Sequence, residues 1–145
     1  MGNTRSVQVF IGKKGRENVV YSDYMLADAS IDKEPLEASI PDHKWHTLDI
    51  VDPFTKADRN LIEEKLIGKN AEGKMERQGN RYQGVFISVA VRSWSLDAPC
   101  TEAGFNALPE WLSDSVYLIV NDLCMSGGIG TADFLNSLKP KPEES

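Results

Sequence analysis

Ten residues, VFISVAVRSW at 85–94, constrain the fold more than any other part of the chain. Projected as a helix at about 100° per residue, this stretch and the residues just before it carry apolar side chains on two separate stripes. The stripes are Tyr82, Val85, Phe86 and Val89 on one side and Ile87, Val91 and Trp94 on another. A helix that is apolar on most sides is buried on most sides. We therefore predict a central core helix over about residues 81–93, with Asn80 as its N-cap.

The first third of the chain has the pattern of β-structure. Residues 7–11 (VQVFI) are typical of a strand that ends at the polar glycine turn of residues 12–15, and residues 19–21 (VVY) are candidates for the returning strand. Residues 45–51 alternate large apolar with polar side chains, which predicts a further strand. In residues 22–44 we expect loops, with room for one short strand.

Helix signals dominate the rest of the chain. Thr55 and Asp58 have the spacing of a capping box, which predicts a helix over about residues 56–67 with Gly68 as its C-terminal stop. Residues 68–80 are polar and contain three glycines. This composition favours a surface loop or a frayed linker.

The last helices follow a stretch that is broken by prolines. Thr101 is a good N-cap for a short helical turn, and Pro109 suits the first turn of a helix over about residues 109–125. The glycine run after that helix is expected to end it. Thr131 is then predicted to cap a short final helix at about 132–138.

Together these patterns predict an α+β protein. A β-rich N-terminal part (1–54) precedes a mainly helical C-terminal part (55–138) with three helices and a short terminal one. The chain has 145 residues, enough for one domain with its own core, which we place at residues 1–138. The proline-rich, charged tail at 139–145 is expected to be disordered.

Composition and charge exclude several classes of function. The chain has 16 basic and 22 acidic residues and a formal net charge of −6, which argues against binding to the phosphate backbone of nucleic acid. No run approaches the roughly 18–20 consecutive apolar residues of a membrane span, and the N-terminus lacks the apolar segment of a signal peptide. We therefore expect no nucleic-acid partner, no membrane partner and a reducing, cytoplasmic environment.

No motif in the chain predicts catalysis or a cofactor. His43 and His46 lie in a strand-like pattern that would point them to opposite faces, and no third metal ligand is evident, which favours polar surface histidines. Residues 127–131 (GGIGT) follow a helix and lack the lysine of a phosphate-binding loop. We predict a protein that is not an enzyme, with no catalytic residues, no bound metal and no cofactor.

The two cysteines, Cys100 and Cys124, do not form a CxxC pair, and the sequence alone leaves a disulfide between them open. Cys124 falls near the apolar side of the last long helix, and we interpret it as a small core residue. Cys100 follows Pro99 at the approach to a helix, where a thiolate would be stabilised. Nothing else in the sequence supports a nucleophile there.

Charge is distributed unevenly along the chain. Residues 93–138 contain six acidic and no basic residues, whereas residues 56–92 contain eight basic and five acidic residues. The helix at 109–125 carries an apolar stripe of Leu112, Val116, Ile119, Val120 and Leu123. A further apolar pair, seven residues apart, lies beside carboxylates and away from the centre of that stripe. The predicted partner-binding residues are Trp111, Leu118, Glu110, Asp114 and Asp122. Such a pair suits a basic, amphipathic protein partner; the alternative is a wide buried face, with Trp111 packed on the β-rich part.

Several of these elements occur in a characteristic order. A Trp-containing strand precedes DPFTKADR (52–59), which opens a helix; an apolar helix ends in VAVRSW (89–94); TEAGFNALPEWLSDSVYLIV (101–120) follows, with its Leu-Pro. This order resembles that of the tail assembly chaperones of long-tailed bacteriophages, over roughly residues 45–125. The linker SLDAPC (95–100) is shorter than is usual in that group and has no Asp-Gly turn, and the resemblance does not extend to the N-terminal β-rich part.

The resemblance implies a non-enzymatic protein of the host cytoplasm. Such chaperones bind the long, helical, aggregation-prone tape measure protein, keep it soluble until the tail tube assembles around it, and are absent from the finished virion. The alternative is a structural component of the virion, a head–tail connector or a minor tail protein, with a tail protein as its partner. Whether the chain forms a homo-oligomer is left open.

Overall fold

A computed structural model of the chain describes residues 3–126. The glycine run at 127–130, the predicted Thr131 cap with its helix at 132–138, and the tail at 139–145 lie outside the described residues. The strands are β1 (Asn3–Lys14), β2 (Glu17–Ser22), β3 (His43–Asp52), β4 (Ile67–Lys69), β5 (Met75–Arg77) and β6 (Val91–Trp94). The helices are α1 (Asp23–Asp28), α2 (Lys33–Ser39), α3 (Lys56–Lys65), α4 (Tyr82–Ala90), α5 (Glu102–Asn106) and α6 (Glu110–Ser126).

Four of the strands form one antiparallel sheet in the order β2-β1-β3-β6. β1 lies between β2 and β3, with Phe10 opposite Tyr21 on one side and opposite Trp45 on the other. The turn between β1 and β2 contains Gly15 at φ 65°, a left-handed conformation that glycine adopts without steric cost. The three strands predicted in the first 51 residues are thus confirmed, each with longer bounds.

The two faces of the sheet are covered differently. Alternate residues such as Val9 lie in one hydrophobic core with residues of α3, α4, α5 and α6. On the opposite face Phe10 is fully buried, and its ring stacks on His43 and meets the Trp45 ring edge-on. The indole N–H of Trp45 donates a 2.6 Å hydrogen bond to the Glu37 carboxylate of α2. The main core therefore lies on the side of the larger helices.

Residues 22–44, predicted as loops with room for one short strand, contain two short helices instead. Ser22 caps α1, because its hydroxyl accepts a hydrogen bond from the backbone N–H of Met25. α2 follows Asp32 and has Pro35 in its first turn, where proline is tolerated. The loop prediction is wrong because helices of six and seven residues are too short to show an apolar period.

The capping box predicted at the start of α3 is confirmed. The Thr55 hydroxyl accepts a hydrogen bond from the backbone N–H of Asp58, and the Asp58 carboxylate accepts one from the backbone N–H of Thr55. The predicted stop at Gly68 is wrong, because α3 ends at Lys65 and Gly68 lies in β4.

The loop predicted at residues 68–80 is also wrong in part, because β4 and β5 pair there as a small antiparallel hairpin. The Asn70 side chain accepts hydrogen bonds from the backbone N–H groups of Glu72 and Lys74, and Gly73 takes φ 80°. Hydrogen bonds of polar residues in the turn stabilise this hairpin. Its two short strands therefore lack the apolar alternation by which strands are recognised in a sequence.

α4 is the central core helix that the sequence predicts. Val85, Phe86 and Ile87 are fully buried. The predicted C-terminal boundary at about 93 is wrong, because the chain leaves the helix after Ala90 and pairs with β3 as strand β6, with Trp94 opposite Leu48. The edge of β3 offers backbone hydrogen bonds to an extended segment. Four residues are too few for their pattern to distinguish a strand from a helix.

The predicted N-cap of α4 is wrong as well. Asn80 lies in a single 3-10 turn (Gly79–Arg81), and the residue before the helix is Arg81, which makes no side-chain cap hydrogen bond. The Arg81 guanidinium instead makes two hydrogen bonds to the Glu102 carboxylate of α5, at 2.9 and 2.8 Å. This ion pair ties the start of α4 to α5.

The stretch between β6 and α6 folds as predicted. The Thr101 hydroxyl caps α5 by accepting a 2.9 Å hydrogen bond from the backbone N–H of Gly104. A Cβ atom on Gly104 would lie 1.7 Å from the carbonyl oxygen of Pro99, so this turn requires glycine. α6 then begins directly after Pro109. The α+β class, with a β-rich N-terminal part followed by helices, is confirmed.

Candidate protein-binding surface

Both histidines have structural contacts. His43 Nδ1 pairs with the Ile40 carbonyl oxygen, and its ring stacks on Phe10. His46 Nδ1 lies 3.2 Å from the carbonyl oxygen of Ser95 and 3.3 Å from its hydroxyl. Within residues 3–126, no group of three or more His, Cys, Asp or Glu side chains is arranged to hold a metal ion.

Both cysteines are free thiols. Burial raises the pKa of the Cys100 thiol, whose sulfur lies 3.6 Å from the carbonyl oxygen of Val91. Burial, followed by the negative charges of Asp58 and Asp52, raises the pKa of Cys124 to about 12. A stabilised thiolate at Cys100 would need the opposite shift of its pKa, so the surroundings of Cys100 do not favour a nucleophile there. Cys124 is buried in the core, as predicted.

α6 carries all five residues that were predicted to bind a partner. Trp111 is 38% exposed and Leu118 is 64% exposed. Glu110 and Asp114 are exposed, whereas Asp122 is half-buried. Most of the apolar stripe predicted for this helix is buried, namely Leu112, Val116, Ile119 and Val120. The helix therefore contributes one side to the core and leaves large apolar side chains exposed elsewhere.

An open groove of about 680 Å³ lies between α1 and α6. Leu118 and Ile119 line it from α6, Tyr24 and Met25 line it from α1, and Val20 lines it from β2. Met25 is 40% exposed. Two large apolar side chains on different helices, Met25 and Leu118, are therefore open to solvent at the same groove.

Two carboxylates and a tyrosine give this groove its polar character. Asp28 lines it at the end of α1 and Asp122 lines it from α6, and no basic residue is among its described lining residues. The Tyr24 hydroxyl donates a 3.4 Å hydrogen bond to the Ile119 carbonyl oxygen, which joins the two helices. Burial, and then the nearby Asp122 carboxylate, raises the pKa of Tyr24 to about 12. The phenol therefore stays neutral at physiological pH, and the groove is apolar with a negative charge.

Trp111 does not share this groove. It lines a separate depression of about 390 Å³ at the other end of α6, together with Lys13, Lys44 and Asp42. The structure thus brings Leu118 and Asp122 together but places Trp111 against the ends of the strands, among charges of both signs.

The sequence did not predict the α1 side of the groove. Tyr24, Met25 and Asp28 belong to a helix that was not predicted, so they could not be assigned to a surface. The available signal was Ser22 followed by Asp23, which is a capping residue followed by an acidic residue in the first turn of a helix.

Comparisons with protein-family models, with curated protein sequences and with solved structures found no match to this chain. Within the described part of the chain, no helix is both long and apolar enough to cross a membrane. The features of this chain that bear on its function are therefore the groove, the charge of the groove and the order of the helix signals.

Proposed function

We propose that this chain is a non-enzymatic tail assembly chaperone of a long-tailed bacteriophage, which binds the tape measure protein in the host cytoplasm and keeps it soluble. The observation that carries the proposal is the groove between α1 and α6, where Met25 and Leu118 are exposed beside carboxylates. Single exposed apolar residues are normal on protein surfaces, whereas an open apolar groove rimmed by polar groups suits a protein partner. The resemblance over residues 45–125 names the class of partner.

The physical properties of the chain suit this task. A helical protein that aggregates does so through its apolar stripe, and a groove with apolar walls on two helices can cover such a stripe. The formal net charge of −6 favours solubility of the complex through mutual repulsion. Carboxylates at the groove favour partners with basic residues beside the stripe and accelerate their association.

Co-expression with the tape measure protein of the same phage genome tests the proposal directly. We expect the tape measure protein to move from the pellet to the soluble fraction and to co-elute with the chain in size-exclusion chromatography. An unrelated acidic protein of similar size and net charge is the control for a non-specific charge effect. An unchanged soluble fraction, or equal rescue by the control protein, would contradict the proposal.

Purified virions separate a chaperone from a structural component. A chaperone acts before the virion is complete, so we expect the chain in infected-cell lysates and not in mature particles, as measured by quantitative mass spectrometry. A fixed copy number in mature particles would contradict the chaperone role and favour a head–tail connector or a minor tail protein.

A further inference from the structure

We propose that the groove between α1 and α6 binds two turns of a basic amphipathic helix, with the apolar stripe of that helix between Met25 and Leu118 and its basic residues beside Asp28 and Asp122. This inference rests on the proposed function and specifies the segment of the partner that is recognised. It also excludes Trp111 from the site, because Trp111 lines a different depression.

The dimensions of the groove fit two helical turns. Its α6 wall extends from Ser115 to Asp122, eight residues whose ends lie about 10 Å apart at the roughly 1.5 Å rise of an α-helix. A partner helix of that length presents apolar side chains at positions i, i+3 or i+4, and i+7.

The apolar walls favour a helix over an extended peptide. A helix satisfies its own backbone hydrogen bonds internally, whereas an extended peptide needs backbone partners along its length. Met25 and Leu118 offer only side-chain surface, and the Tyr24 hydroxyl already donates to the backbone of Ile119. Met25 has an unbranched thioether side chain, which adapts to the shape of the packed residue.

The charges of the groove specify the flanks of the partner helix. Asp28 is the last residue of α1, whose last turn contains no basic residue, and the carbonyl groups at a helix C-terminus add negative potential there. Residues 93–126 contain no lysine or arginine, so α6 supplies no cation to the groove. Asp122 lines the groove from α6, near the Tyr24 hydroxyl, and so provides a second carboxylate at the wall. Lysine or arginine on the partner supplies the complementary charge.

A synthetic peptide tests the groove independently of the phage partner. The probe is a fluorescein-labelled peptide of about 18 residues, or five helical turns, with leucines at i, i+3, i+4 and i+7 and lysines beside them. Its sister peptide carries glutamate in place of every lysine. Fluorescence anisotropy with the whole chain should show saturable binding of the basic peptide and at least about tenfold weaker binding of the acidic one.

Two pairs of substitutions locate the binding site. Leu118→Asp and Met25→Asp each place a charge on an apolar wall, and each should weaken binding of the basic peptide by about tenfold or more, as truncation of interface anchors does. The matched controls are Leu61→Asp on α3 and Met75→Asp on β5, which are 40% and 61% exposed but lie outside the groove. The controls should bind as the wild-type chain does. Circular dichroism of each variant checks that the fold is retained.

A charge-neutralising pair tests the acidic end of the groove. Asp28→Asn should weaken binding of the basic peptide about threefold and reduce the dependence of binding on salt, because one screened attraction is lost. Asp97→Asn removes the same charge from an exposed residue outside the groove and should leave both quantities unchanged. Equal effects of the two variants would overturn the assignment of Asp28 and favour the net charge of the chain.

The outcomes separate this inference from the proposed function. If Leu118→Asp and Leu61→Asp bind the peptide equally, the groove is not the site, even if the tape measure protein is still solubilised. Tighter binding after truncation at Ser126 would make residues 127–145 the occupant of the groove and would overturn the proposal. A change of oligomeric state on Leu118→Asp alone, measured by analytical ultracentrifugation, would make a second copy the occupant and would also overturn it.

Discussion

α4 and α6 pack against each other in the helical layer, and both are rich in apolar residues, but they are buried to different extents. In α4, six of the nine residues are buried, because the sheet, α3, α5 and α6 surround the helix. α6 buries one side only, and it leaves Leu118 exposed beside a groove. Apolar content alone does not separate a core helix from a binding helix; the number of neighbouring elements does.

The largest expected effect concerns the ring that joins the two helices. Phe86 of α4 is fully buried and packs on Tyr117 of α6, on Tyr82 and on Phe54, with ring centroids 5.6, 6.0 and 5.7 Å away. Phe86→Ala should lower the free energy of unfolding by about 3–5 kcal/mol, because it leaves a cavity among these rings. Urea denaturation followed by circular dichroism measures the change. A loss below about 1 kcal/mol would mean that the core collapses around the site and that α4 is less constrained than its burial indicates.

The next effect concerns the connection between the helices. In Gly104→Ala the new Cβ would meet the backbone of Pro99 at 1.7 Å, so the turn before α5 must move, and we expect a loss of about 2 kcal/mol or more. Gly84→Ala is the matched control in α4, where the new Cβ meets only side-chain atoms of Glu102 and Asn106. Thermal denaturation should show the larger fall in Tm for Gly104→Ala; the reverse order would contradict the close approach at Pro99.

A smaller effect is expected at the start of α5. Thr101→Ala removes the hydroxyl that accepts a hydrogen bond from the Gly104 N–H, and it should cost about 1 kcal/mol of unfolding free energy. Thr101→Ser keeps the hydroxyl and should restore most of the loss. If the two variants are equally destabilised, the methyl group of Thr101 contributes more than its cap.

The ion pair between Arg81 and Glu102 should appear as a pH dependence. The hydrogen bonds from Arg81 lower the pKa of Glu102 below its ordinary value of 4.5. A carboxylate with a lowered folded-state pKa stabilises the fold above its unfolded-state pKa, and this stabilisation is lost as the pH falls through the folded-state pKa. Glu102→Gln should therefore lower the free energy of unfolding at neutral pH. It should also make that free energy fall less steeply as the pH drops below about 4.5. Urea titrations at several acidic pH values measure the slope, and identical slopes for both proteins would rule out this contribution.

The smallest expected effect is at Leu118. Because its side chain is 64% exposed, Leu118→Asp should change the unfolding free energy by no more than about 0.5 kcal/mol, although it should weaken peptide binding at the groove by about tenfold or more. Val116→Asp, two residues earlier on the same helix and fully buried, should unfold the protein or nearly so. Comparable unfolding midpoints for the two variants would remove the distinction between the two sides of α6.

The sequence predicts those features that local chemistry determines. The capping box at Thr55, the cap at Thr101 and the central position of α4 follow from residue types and spacing, and the structure confirms each. Strand β3 is predicted from its alternation of apolar and polar residues, and β1 is predicted from its strand-like residues and the polar glycine turn that follows them.

Features that depend on distant neighbours could not be predicted. β6 is a strand only because the edge of β3 is available to it, and residues 91–94 carry no local sign of that partner. The groove has the same origin, since Met25 and Leu118 are far apart in the chain and meet only after α1 packs near α6. The sequence located Leu118 and Asp122 on an exposed side of α6, but it paired them with Trp111, which lies elsewhere.

The raised pKa values of the two thiols, of which Cys124 is buried and Cys100 half-buried, have a practical consequence for chemical labelling. Maleimide and disulfide reagents react with thiolates, and both Cys100 and Cys124 have raised pKa values that keep them protonated at neutral pH. A cysteine introduced by Leu118→Cys would be solvent-exposed and should react first, without removal of the native cysteines. The native thiols should therefore react more slowly than the introduced one, and a fluorophore attached at position 118 would report binding of a peptide in the groove.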